Sequence, residues 1–381
     1  MVIYFDNAAT TKVKDEVFKE MVPYLTQEYG NPSSIYNIGR KAKKAIEEAR
    51  EKVAKLIGAD KNDIYFTSCG SESDNTALKG IAYSNKNKGN HIITSKIEHH
   101  AILESCKQLE TQGFEVTYIN VNKDGIIDLE ELRNAIKENT ILISIMFANN
   151  EIGTIQPIEE IAKIAKEKSI IFHTDAVQAV GNVPINVKDM NIDMLSLSGH
   201  KIYGPKGIGA LYVKKGIEFT KFMNGGHQEK NKRAGTENVA SIVGLGKACE
   251  LSEIGLKQHI KHLEELRNYY NKEIQNRIED VKINGTMEKR LPGNSNISFK
   301  GIDAGGLLLE LDKKGICASS GSACTSGEAK PSHVLTAIGL EPEYIQGALR
   351  ITIGEFNTKA QIDYLVENLV EDVNKLRKIK M

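Results

Sequence analysis

Strand-like and helical runs take turns along the first half of the chain, and this alternation restricts the fold more than any other feature. Apolar runs of strand length occupy residues 64–67, 92–95, 116–119, 141–147 and 170–174. Helical patterns at 71–79, 100–109, 128–136 and 158–167 separate them. The run at 141–147 is apolar except for Ser144, as expected of a strand covered on both faces. Strands alternating with helices predict a mostly parallel sheet with right-handed crossovers and helices on both sides. Ligands in such sheets bind beyond the carboxyl ends of the strands, so chemistry is sought in the residues that follow each strand.

The chain has 381 residues, more than a single core usually organises, so two domains are expected. The reading is a large α/β domain over residues 15–255 and a smaller α+β domain built from 1–14 and 256–381. Ala42, Ala45, Ile46, Ala49, Val53 and Leu56 recur at spacings of three and four, which predicts an amphipathic helix over 36–56, stopped by Gly58. Residues 237–277 are helical in pattern and carry the chain from one domain to the other. Strand runs at 296–299 and 349–353 then mix with helices at 307–313, 333–337 and 358–377. A formal net charge of +0 gives no reason to expect nucleic acid or an acidic membrane as partner. No apolar run reaches transmembrane length, and the first residues lack the features of a signal peptide, so a soluble cytoplasmic protein is expected. The five cysteines, Cys69, Cys106, Cys249, Cys317 and Cys324, are odd in number, scattered and free of Cys-x-x-Cys spacing. That argues against a disulfide framework and against a metal site, and leaves room for one reactive thiol.

The strand ends supply a set of parts. After 64–67 comes Ser68-Cys69-Gly70-Ser71, whose free N–H groups and hydroxyl suit a phosphate, although an ordinary helix cap has the same look. After 92–95 comes His99, able to stack on a ring or move protons, or simply a surface histidine. After 141–147 comes Asn150, a hydrogen-bond donor to a ring oxygen or carboxylate, or one residue of an Asn-Gly turn. After 170–174 come Asp175 and Gln178; a carboxylate there can pair a protonated pyridine nitrogen or cap a helix. From 193 to 213 an apolar run ends in Ser196-Leu197-Ser198, followed by Gly199-His200-Lys201 and a glycine-rich turn. A lone lysine in such a turn is usually a solvated surface group. Lys201 follows Asp175 by 26 positions, and aspartate then lysine on neighbouring strands is the skeleton of the fold-type I pyridoxal phosphate site. Cys324 lies in the small-residue stretch Ser319-Ser-Gly-Ser-Ala-Cys-Thr-Ser-Gly327, where a thiol is expected to be accessible and mobile. Arg350 begins a strand and suits a bidentate grip on a carboxylate, or a surface ion pair.

Several segments together resemble one family over nearly the whole chain. They are Asp6-Asn-Ala-Ala-Thr-Thr11, Gly30-Asn-Pro-Ser-Ser34, Phe66-Thr-Ser-Cys-Gly-Ser-Glu72, Glu98-His99, Asn149-Asn-Glu-Ile-Gly153 and His173-Thr-Asp-Ala-Val-Gln178. Ser198-Gly-His-Lys-Ile-Tyr-Gly-Pro-Lys-Gly207, Arg233-Ala-Gly-Thr236 and Ser319-Ser-Gly-Ser-Ala-Cys324 complete the set. The sequence resembles the cysteine desulfurases of the NifS/IscS type, in the class V aminotransferase family. The resemblance implies fold-type I architecture, like that of aspartate aminotransferase, with pyridoxal 5'-phosphate on Lys201. It implies that Asp175 pairs the pyridine nitrogen and that His99 stacks on the ring and helps move protons. It assigns Gly70, Ser71, Ser198 and His200 to the phosphate, and Gln178 and Asn150 to the ring hydroxyl. It sends Thr236 to the phosphate of a partner subunit, hence a homodimer. It gives the substrate carboxylate to Arg350, helped by Asn150.

In the implied reaction L-cysteine becomes L-alanine. Lys201 takes the α-proton and Cys324 accepts the sulfur as a persulfide, for delivery to a protein acceptor such as an iron–sulfur scaffold. The only metal contact implied is a transient one between Cys324 and a cluster on that partner. Cys69-Gly70-Ser71 departs from the usual Gly-Gly-Thr or Gly-Ala-Thr of the family; Ser71 keeps the hydroxyl and Cys69 adds a thiol of no assigned role. The chain ends at Met381, soon after its last helix, which leans toward the NifS-like subgroup and away from tail-assisted scaffold docking. A selenocysteine lyase or another class V aminotransferase is the alternative within the family. A non-catalytic partner protein is the alternative outside it, although such a protein has no need of Lys201, Asp175 and Cys324 together.

Overall fold

The computed structural model describes residues 2–320 and 331–380. Its strands, in chain order, are β1 (Ile3–Tyr4), β2 (Ile64–Thr67), β3 (His91–Ser95), β4 (Glu115–Ile119), β5 (Thr140–Ser144), β6 (Ile171–Asp175) and β7 (Met194–Ser198). They continue with β8 (Gly209–Val213), β9 (Val281–Ile283), β10 (Asn294–Phe299), β11 (Ile316–Cys317), β12 (Ser319–Ser320) and β13 (Ala348–Thr352). Seven form the central sheet in the order β2-β8-β7-β6-β5-β3-β4. Its pairs from β4 to β7 are parallel, and only β8 runs against its neighbours. The alternation of strand and helix therefore yields the expected doubly covered, mostly parallel sheet.

Successive residues of a strand point to opposite faces, and the burial follows that rule. Ile93, Ile143, Leu195 and Tyr212 enter one core, and their neighbours Ile92, Leu142, Met194 and Leu211 enter another across the sheet. Helix Asn37–Leu56 buries Ala42, Ala45, Ile46, Ala49 and Val53, the stripe its spacing predicts. Its small side chains allow close approach by helix Val239–Arg277. A Cβ on Gly246 of that helix would lie 2.7 Å from the Ala49 Cα.

A third core belongs to the antiparallel sheet β12-β13-β10-β9 and the helices against it. Helix Val239–Arg277 joins the two halves. Its first part places Ile242, Leu245, Ala248 and Cys249 in the large core, and its second part places Leu263, Leu266, Tyr270 and Ile274 in the small one. The chain's first strand also belongs to the small half. β1 pairs with β11, and Asp6 forms a bridge with Thr352.

Two of the boundaries that differ from the sequence reading have a clear cause. Helix Gly70–Ser84 runs five residues past Lys79, because Gly80, Ile81 and Ala82 continue its buried face. The strand expected at 141–147 ends at Ser144. The Met146 N–H turns to the Glu98 side chain at 2.9 Å, so a carboxyl group takes the place of a neighbouring strand there.

Tyr270 is fully buried, and its hydroxyl has no partner among the described residues. A buried polar group without a partner destabilises by about 1–3 kcal/mol. Tyr270→Phe is therefore expected to raise the denaturant midpoint, by about 1 kcal/mol in stability. A lower midpoint would mean that the hydroxyl is hydrogen-bonded in solution.

Candidate active site

The parallel strands end on one edge of the sheet and deliver their following residues to a cavity of about 390 Å³. Ten of the side chains or backbones expected in the site line it: Gly70, Ser71, His99, Asn150, Asp175, Gln178, Ser198, His200, Lys201 and Arg350. A second cavity of about 370 Å³ lies behind Lys201 against helix Val239–Arg277. It contains neither the strand-end acid nor the helix start, so the chemistry belongs to the first.

Register sets the central pair. β6 and β7 are parallel neighbours with Asp175 opposite Ser196. β7 ends at Ser198, and a single 3-10 turn, Gly199–Lys201, brings Lys201 back over the same edge. Lys201 Nζ donates to the Ala9 carbonyl at 2.9 Å and also to the Ala8 carbonyl. Asp175 is buried, and its Oδ1 accepts from the Val177 N–H at 2.9 Å. Burial raises its pKa above the usual carboxylate range, opposed by the nearby His99 and Lys201.

His99 caps helix His100–Glu110: its Nδ1 accepts from the Ala101 N–H at 3.1 Å, which leaves the ring proton on Nε2. Burial lowers the His99 pKa, so the ring is neutral at neutral pH. His200 is neutral too; burial, with Lys201 and Lys206 nearby, pushes it down to about 4. Its Nδ1 lies 3.1 Å from the Thr10 hydroxyl.

The opposite wall is an anion cradle. Helix Gly70–Ser84 starts at the cavity, and Cys69 at its N-cap gives no side-chain cap, so first-turn N–H groups face the space. A Cβ on Gly70 would lie 2.6 Å from Val177 Cγ2, so only glycine lets the backbone approach this closely. Ser198 Oγ is buried in the same wall without a hydrogen-bond partner among the described residues. Arg350, on β13, donates to Asp6 Oδ1 at 2.8 Å and to the Asn150 carbonyl at 3.3 Å. Gln178 Nε2 donates to the Ala8 carbonyl at 2.9 Å.

One expected residue, Thr236, lies elsewhere. It lines a neighbouring cavity of about 200 Å³ with Ser68, Gly207 and Arg233. The segment before it takes left-handed backbone at Glu229, Lys230 and Asn231. The buried Arg50–Glu229 pair at 2.7 Å and the Arg233–Glu72 pair at 2.8 Å hold that segment in place. Cys324, with its expected mobile loop, lies outside the described residues. Of the other cysteines, Cys106 and Cys249 are buried and Cys69 lines the cavity.

Comparison with known proteins places the chain in a family. The aminotransferase class-V family model matches residues 3–365. The chain is 54% identical over 379 residues to the cysteine desulfurase IscS of Clostridium botulinum, covering 99% of this chain and 96% of that one. Among solved structures it is similar to a NifS-like protein, with TM-score 0.93, 39% identity, and coverage of 99% of this chain and 100% of that one. It is also similar to SspA in complex with cysteine, with TM-score 0.82, 40% identity, and coverage of 93% and 99%. The chain belongs to the class V aminotransferase family, among its cysteine desulfurases.

Cysteine desulfurases of this family depend on pyridoxal phosphate, and the residues present fit that group. The unpartnered Ser198 hydroxyl, the uncapped helix start and the glycine-only approach at Gly70 suit a phosphate. Asp175 and Lys201 suit a cationic ring and its aldehyde. Sequence reasoning gave no role to Asp6, Ala8, Ala9, Asp74 or Met146, all of which line the cavity. The motif Asp6-Asn-Ala-Ala-Thr-Thr11 was visible, but its partner Arg350 lies 344 positions away.

Behind the cavity sit further acids. Glu98 is buried; Ser95 Oγ and the Met146 N–H donate to its Oε1 at 2.6 and 2.9 Å, and its Oε2 has no partner among the described residues. Burial pushes its pKa from 4.5 up to about 8. Over that interval the unfolded chain gives up a proton that the folded one keeps, so this group's contribution to stability falls as pH rises from about 4.5 to about 8. Glu98→Gln removes the effect. The melting temperature of the variant minus that of the parent is expected to grow from pH 5 to pH 8. A constant difference would place an ionised Glu98 in the folded protein.

Proposed function

We propose that this cysteine desulfurase binds pyridoxal 5'-phosphate on Lys201 and takes sulfur from free L-cysteine, releasing L-alanine and loading Cys324 with a persulfide. The observation that carries the reading is one cavity that joins a strand-end carboxylate, a lysine one turn beyond the neighbouring strand, a neutral histidine and an anion cradle. The bound cofactor supplies an electron sink for the carbon next to the amino group.

The chain's own residues do the rest. Ser71, Ser198, His200 and the Gly70 N–H hold the phosphate, Asp175 holds the ring nitrogen cationic, and Gln178 and Asn150 take the ring hydroxyl. His99, neutral with its proton on Nε2, would stack on the ring and move protons. Lys201 Nζ moves the α-proton. Arg350, with Asn150, orients the substrate by its carboxylate. The Cys324 thiolate attacks the substrate sulfur; the new S–S bond forms as the carbon–sulfur bond breaks, the β-carbon takes up one proton to become the methyl group of alanine, and the α-carbon regains the proton that Lys201 removed. The terminal sulfur then passes to a protein acceptor, with iron–sulfur cluster assembly as its use.

We further propose that residues 15–255 act as the cofactor domain and residues 1–14 and 256–381 as the domain that carries Cys324. We propose a homodimer in which Thr236 completes the partner's phosphate site. Supporting self-association, Phe18, Leu25, Tyr29, Ile35 and Tyr36 are exposed large apolar side chains close together in sequence, and Ile35 is 88% exposed.

The test is sulfide and alanine release from L-cysteine with a reductant. Equal amounts are expected from the parent. Cys324→Ala is expected to lose both, and Lys201→Ala to lose bound cofactor and activity, by about 10³-fold or more. Alanine formed at the parent rate by Cys324→Ala would remove Cys324 from the sulfur path. A preference for selenocysteine by orders of magnitude would assign a lyase instead.

A further inference from the structure

Among the described residues two cations line the cavity, and both hold the same N-terminal turn. Lys201 reaches the Ala8 and Ala9 carbonyls, and Arg350 reaches the Asp6 carboxylate at 2.8 Å. Asp6 is a wall of the site, with its side chain 19% exposed against 4% for Arg350. Its backbone is fixed as well. Its carbonyl accepts from the Tyr4 hydroxyl and the Ala9 N–H, each at 3.0 Å, and it bridges Thr352 on the strand that bears Arg350. The Arg350 pair then holds the carboxylate at the cavity wall.

The other carboxylates on the wall, Asp74 and Asp175, come from the large-domain side, on helix Gly70–Ser84 and β6. His99 and His200 are neutral. On the Arg350 side, Asp6 is thus the one lining acid among the described residues, and with Arg350 it makes a neutral pair. An incoming amino acid meets enough positive charge for its own carboxylate and a fixed negative charge beside it.

We propose that Asp6 is a specificity-determining residue: by pairing Arg350 at the cavity wall, it admits amino acids with neutral side chains and disfavours those carrying a second carboxylate or another acidic group. L-cysteine, whose thiol is mostly protonated at neutral pH, passes this filter. The inference rests on the assignment of Arg350 to the substrate carboxylate.

The test uses the cofactor-loaded protein and two sulfur-free ligands of similar size, L-alanine and L-aspartate. Their affinities are read from the change each makes in the visible absorption of the cofactor, at fixed ionic strength. The parent is expected to bind aspartate more weakly than alanine by about tenfold or more. Asp6→Asn and Asp6→Ser are expected to narrow that ratio by about tenfold, and Asp6→Glu to keep it. Each ratio is internal to one protein, so a loss of stability alone does not move it. Equal binding by the parent, or a ratio in both neutral variants within about twofold of the parent, would overturn the filter. Arg350→Ala tests the underlying assignment separately. Unchanged alanine affinity there would reject Arg350 as the carboxylate site, while the Asp6 ratio would still decide the filter.

Discussion

The pairing of β6 with β7 is the constraint on which the site depends. With Asp175 opposite Ser196, the strand-end acid and the lysine one turn beyond the neighbouring strand share one edge of the sheet. A slip of one residue would turn every side chain of β7 to the other face. Several contacts oppose such a slip. Leu195 and Met194 fill different cores, the Phe172 N–H donates to Asp193 Oδ2 at 3.1 Å, and His173 Nε2 lies 3.0 Å from the Ser196 hydroxyl.

The sheet interior beneath this edge is kept poor in charge. His173 is pushed down to about 3 by burial, so it spans Ser144 and Ser196 as a neutral ring. Asp74 is raised well above the carboxylate range by burial and then by Asp175, and Glu98 stays protonated through neutral pH. Burying a charge without a partner is expensive, and these groups avoid it by staying neutral. A cationic ring beside Asp175 would instead favour the ionised carboxylate there. The electrostatics of the interior thus single out one acid among several to carry charge.

Most of the fold could be read in the chain, because β-alternation and the 3.6-residue stripe are local signals. The parallel strands, the helix at Asn37–Leu56 and the long helix Val239–Arg277 fall where spacing puts them. The end of β5 could not be read, because it is set by the side chain of Glu98, 48 positions from Met146. The same division holds for the site. Strand-end positions marked Gly70, Ser71, His99, Asn150, Asp175, Gln178, Ser198, His200 and Lys201, and all of them meet in one cavity. Asp6, Ala8 and Ala9 gave no such sign, since their roles come from contacts with Lys201 and Arg350 that no local pattern encodes.

The N-terminal turn also sets an order of events during synthesis. Asp6 and Ala8 are made long before their partners Arg350 and Thr352, each 344 positions further along. At about 5–20 residues per second, the turn waits roughly 20–70 s for the strand it joins. The large core can form in that interval, but its lysine lacks the far wall of the cavity until β13 arrives. A nascent chain therefore holds the amine without the enclosure, and the site closes only as a late step in folding.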